Sequence, residues 1–127
     1  MDLAYWCVLF AGIMPVLTVG VAKWGRRDYD NAEPRAWLDR QQGYRRAADH
    51  AHRNHFEAFP FFAAGVLVAE QLQANPVHID LLAASFIIFR VIYTGLYLTD
   101  KPSFRSLAWF AGYVCVLALF GVAAYAA

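Results

Sequence analysis

Charge is what this sequence has least of. Only 17 % of its 127 residues are Asp, Glu, Lys or Arg, while 60 % are apolar and 17 % aromatic. A soluble domain carries roughly 25 % charged and about 45–50 % apolar residues, and one this small buries only part of its surface. The balance therefore argues against a soluble globular domain. Cysteine is also scarce: Cys7 and Cys115 each sit inside an apolar run, too few and too far apart for a disulfide framework, and they read as buried apolar thiols. Internal repeats and low-complexity tracts are absent. The start of the chain has no basic leader segment, and its apolar run is too long for a signal peptide. A net charge of +1 gives no footing for a nucleic-acid partner.

What remains is long apolar runs. About 20 such residues cross a bilayer as a helix, and in lipid the backbone must satisfy its own hydrogen bonds. Spans are expected at Leu3–Ala22, at Phe56–Val68 lengthened by a polar helical start, at Ile79–Leu98, and at Leu107–Tyr125. The reading is a single all-α domain, residues 1–127: an integral-membrane, up-down-up-down four-helix bundle. Its helices are placed at 3–23, 47–73, 79–98 and 105–126, with one polar loop over 24–46.

Eight of the eleven Lys and Arg residues lie between Lys23 and Arg53. Lys101 and Arg105 flank the third loop, and the loop from Glu70 to Asp80 has none. By the positive-inside rule the first and third loops face the cytoplasm and both termini lie outside.

Ionisable residues at membrane depth are costly and mark sites. His50, Asn54 and Glu57 follow i, i+4, i+7 and share a helical face, with Arg53 beside it and Pro60 a turn later. Arg90, Tyr93 and Tyr97 form a second stripe, and Arg105 and Ser106 follow at the same end of the bundle. Two readings stay open on spacing alone. Glu57 and Arg90 could neutralise each other across the bundle. Alternatively, the whole set could line a cavity in which arginines take carboxylates and Glu57 takes an ammonium group. His50, His52 and His55 invite a metal reading, but a metal is not expected, because His52 lies off the His50–Asn54–Glu57 face and a closed site wants three or four convergent ligands. His78 falls in a short loop. A multidrug-transporter reading needs a carboxylate within the first span, which has none.

The run Ala51-His-Arg-Asn-His-Phe-Glu-Ala-Phe-Pro-Phe61 resembles the second-helix signature of the MAPEG family, the membrane-associated proteins in eicosanoid and glutathione metabolism. Arg90-Val-Ile-Tyr93-Thr-Gly-Leu-Tyr97 is similar to its third-helix pattern, and Arg105-Ser106 to its fourth-helix start. The wording around Phe56–Ala64 is most similar to a bacterial branch, which implies a bacterial inner membrane. The resemblance implies a homotrimer with glutathione as co-substrate between subunits, and lipophilic molecules and membrane lipids as further partners. Asn54, Glu57, Arg90, Tyr93 and Tyr97 match glutathione-contacting places, and Arg53 a basic place found in part of the family. Lys23 falls near a basic residue reaching in from the adjoining subunit. Arg105 matches the arginine that holds the thiolate, and Ser106 a neighbouring serine. His50 stands where active relatives carry Arg, and a histidine is a weaker, pH-dependent carboxylate anchor. The implied activity is a glutathione S-transferase or glutathione-dependent peroxidase. The alternative is a non-catalytic member binding another thiol or a lipid.

Overall fold

The computed structural model describes all residues, Met1–Ala127. The chain is all-helical, 82 % helix with no strand. Its elements in order are α1 (Leu3–Lys23), α2 (Pro34–Asp39), α3 (Gly43–Gln71), α4 (Pro76–Leu98) and α5 (Pro102–Ala126). Three of them, α1, α4 and α5, are long and apolar enough to cross a membrane. At 29 residues α3 is the longest, but the charged residues of its first half keep it out of that group.

Several boundaries differ from those read off the sequence. The expected loop over 24–46 contains α2, and α3 starts at Gly43 rather than 47. Proline explains most of the rest. Its fixed φ and missing N–H suit a first helical turn, and Pro34, Pro76 and Pro102 each open a helix. Asn75 reinforces the start of α4: its Oδ1 accepts from the amides of Val77 at 2.9 Å and His78 at 3.4 Å. Helix ends are closed by residues in the left-handed region. Gln73 (φ 55°) lets the Ala74 amide return to the Ala69 carbonyl at 3.0 Å. Asp100 (φ 56°) does the same for Lys101 and Leu96.

α1 packs on α3 and α4, and α5 on α4 and α3. The core between them uses small residues, among them Ala4, Cys7, Ala11, Ala69, Ala83, Cys115 and Ala123. Small side chains let apolar helices approach closely, which is how membrane helices associate. At its centre Phe62 stacks on Phe86, ring centroids 4.0 Å apart. Large apolar side chains such as Trp6, Leu9, Val16, Leu81, Ile88, Phe110 and Leu117 point outward, as a lipid-facing surface requires.

Two ties fix the ends of α1. Its first-turn Ala4 amide donates to Asp80 Oδ1 on α4 at 2.9 Å. At the other end Arg45 of α3 donates to the carbonyls of Ala22 at 2.9 Å and Trp24 at 2.7 Å. A cation there suits a helix C-terminus. α2 folds back beneath this end, with Trp37 and Leu38 buried against Ala22 and Ala48. The basic segments therefore gather at one end of the molecule and frame its polar site.

Candidate functional site

The i, i+4, i+7 set of α3 divides, and His50 does not line the cavity that its other two members face. Asn54 and Glu57 face a cavity of about 190 Å³ that Arg90 of α4 and Trp109 and Tyr113 of α5 also line. Asn54 Nδ2 donates to Glu57 Oε2 at 3.4 Å. That assignment turns Asn54 Oδ1 the other way, where it is buried with no partner. A buried acceptor left open is costly in an apolar surround and wants a donor.

Beside it lies a second cavity of about 200 Å³, lined by Tyr93, Tyr97, Arg105, Ser106 and Trp109. Trp109 is common to both. Cations and rings alternate along this end of the bundle. The Arg90 guanidinium carbon lies 4.3 Å from the Tyr93 ring centroid, and that of Arg105 lies 4.4 Å from Tyr97. The two tyrosines meet edge-on at 5.6 Å, and His50 meets Tyr97 edge-on at 6.3 Å. Such contacts hold a guanidinium without cancelling its charge.

Lys23 and Arg53 lie elsewhere. They line a separate groove of about 570 Å³ between α1, α2 and α3, which Glu57 also borders. Lys23 Nζ sits 4.7 Å over the Tyr29 ring. Arg53 pairs with Asp39 at 2.9 Å and Asp49 at 3.0 Å. The Asp39 hydrogen bond, then the Asp49 charge, hold the Arg53 guanidinium above its ordinary value against desolvation.

The ion pair considered between Glu57 and Arg90 does not form. The chain's ion pairs are His52–Asp49, Arg53–Asp39 and Arg53–Asp49, and neither Glu57 nor Arg90 takes part. Arg90, 3 % exposed, is instead held by His55, whose Nδ1 lies 2.6 Å from Arg90 Nη2. Thr94 Oγ1 lies 3.0 Å from the other ring nitrogen. Spacing missed His55 because it lies off the polar face. The signal was its place on the buried line of α3, among Ala48, Ala51, Phe62, Val66 and Ala69. A histidine on a core stripe needs polar partners on both nitrogens. Trp109 and Tyr113, an i, i+4 aromatic pair stacked at 5.3 Å, were missed too, because aromatics on an apolar span read as lipid-facing. No group of three or more His, Cys, Asp or Glu is placed to hold a metal ion.

The family model that matches the sequence is that of the MAPEG family, over residues 3–125. The chain belongs to the MAPEG family. No curated protein matches it. MAPEG proteins include glutathione transferases and peroxidases. In this MAPEG chain two arginines, two tyrosines, an asparagine and a carboxylate converge where α3, α4 and α5 meet.

Proposed function

We propose that this chain is a membrane-bound glutathione-dependent transferase or peroxidase acting on lipophilic substrates. One observation carries the reading: Arg90 and Arg105, both without a carboxylate partner, stand in adjoining cavities with Glu57 and the open Asn54 Oδ1. Arg90, Glu57 and the open Asn54 Oδ1 complement a carboxylate, an ammonium group and an amide N–H of a peptide, and Arg105 is left for its thiol. Arg90 would take a carboxylate, Glu57 the ammonium, and Asn54 an N–H.

The chemistry follows from the thiol. The thiolate is the nucleophile, and a free thiol near neutrality is mostly protonated. Arg105, with Ser106 beside it, would stabilise the thiolate. The sulfur then attacks an electrophilic carbon, forming a C–S bond while the leaving group departs with its electron pair. With a hydroperoxide it attacks the outer oxygen, breaking the O–O bond and releasing an alcohol after protonation. A second glutathione then reduces the sulfenic acid to disulfide and water. Phe61, Trp109 and Tyr113 give the cavity an apolar wall suited to a bilayer-dissolved partner. In this reading α3 crosses with the other long helices, both termini lie outside, and three copies assemble in a bacterial inner membrane.

The test is calorimetric titration of detergent-purified protein with reduced glutathione, with thiolate absorbance recorded alongside. Arg105→Ala should abolish the thiolate signal and lower turnover about 10²–10³-fold, the usual loss for a residue stabilising anionic charge at the reacting atom. Absence of saturable binding at millimolar glutathione would end the proposal. A second reading, a non-catalytic member holding another thiol or a lipid, is favoured by His50 at its place beside Tyr97. Binding without turnover would decide for it.

A further inference from the structure

Arg90 and His55 are each 3 % exposed, yet no carboxylate neutralises the guanidinium. The proton positions around it follow from donor chemistry. Arginine has donors only, so His55 Nδ1, 2.6 Å from Arg90 Nη2, must accept. The neutral ring then carries its proton on Nε2 and donates to Thr94 Oγ1 at 3.0 Å. That leaves the threonine hydroxyl proton for the Arg90 carbonyl, 2.8 Å away. The three bonds close a ring from the Arg90 side chain back to its own backbone, each pairing one donor with one acceptor. A charged imidazole would set N–H against N–H and break the ring.

We infer that His55 is a positioning residue: it fixes the Arg90 guanidinium at the wall of the Asn54–Glu57 cavity while leaving its charge free for a ligand carboxylate. A carboxylate at this position would hold the arginine equally well and cancel that charge. Thr94 selects the imidazole tautomer that makes the contact possible. The inference rests on reading the cavity as a glutathione site, but the hydrogen-bond ring can be tested without that reading.

Nitrogen NMR of histidine-labelled protein in detergent should show His55 as the Nε2-protonated neutral ring. His55→Leu should raise the dissociation constant and KM for glutathione about tenfold, the loss expected of a hydrogen bond to a charged group. The turnover number should hold, because Arg105 is untouched. His55→Asn should recover most of the affinity, since its Oδ1 stands where Nδ1 accepts. Thr94→Val should weaken binding severalfold, and it serves as the second variant should His55→Leu fail to fold. Unchanged binding in a folded His55→Leu or in Thr94→Val overturns the inference, as does an Nδ1-protonated or charged ring in the spectrum. Wild-type protein that binds no glutathione removes the ligand reading alone, and the tautomer still decides the role of His55.

Discussion

Asp49 is the acid that organises the basic end. Its side chain is 2 % exposed, receives Arg53 at 3.0 Å, and lies 3.2 Å from His52 Nδ1, while Arg53 itself is 46 % exposed. Removing it strands no fully buried cation, because Arg53 can rehydrate and keep Asp39. Asp49→Ala should therefore destabilise the folded protein by about 1.5–3 kcal/mol, the range for a hydrogen bond to a charged group, and loosen α2. Thermal unfolding in detergent measures the first effect, and protease nicking within 24–42 the second. A change below a few tenths of a kcal/mol would mean that the cluster is solvated surface. At this scale the sequence was readable wherever polarity interrupts an apolar helix, as with Asn54, Glu57 and Arg90. It was unreadable for partner choice. Arg90 could have met Glu57 or His55, and side-chain geometry across two helices, which no spacing encodes, decided for His55.

The long helices were legible at element scale because apolar runs and the charge distribution are one-dimensional signals. Their exact starts were less so, since Pro34, Pro76 and Pro102 open helices inside stretches whose polarity reads as loop. Packing between helices was not legible at all, and glycine shows why. A Cβ on Gly65 of α3 would meet Phe120 at 3.3 Å and Leu119 at 3.4 Å on α5, whereas one on Gly112 of α5 would meet only Phe86 at 3.6 Å and Phe89 at 3.7 Å. Gly112→Ala should accordingly be tolerated. Gly65→Leu must push α3 from α5 and should cost about 1–3 kcal/mol, the usual range for overpacking. Since α3 and α5 carry opposite walls of the 190 Å³ cavity, glutathione affinity should fall with stability. Parallel melting curves and titrations of the two variants check this. Equal behaviour would show that the α3–α5 contact does not set the cavity.

The placement of Lys23 and Arg53 has its consequence at the scale of the whole molecule. The family resemblance sets Lys23 near, and Arg53 at, basic places expected to serve the same ligand as Arg105, yet both line a groove between α1, α2 and α3, apart from the cavities on α4 and α5. A trimer in which one copy's groove abuts its neighbour's cavity would bring the two sets together. Closed rotational symmetry repeats that junction three times. The arrangement predicts complementation. Lys23→Ala and Arg105→Ala, each weak alone, should regain activity when co-expressed under separate tags and purified as mixed assemblies. In such mixed trimers one junction in three combines an intact Lys23 from one copy with an intact Arg105 from the next, so roughly a third of full activity should return. Were both residues to serve one site within one copy, every site in the mixture would lack one of them and no recovery would follow. The outcome thus separates a site shared between subunits from one confined to a single chain.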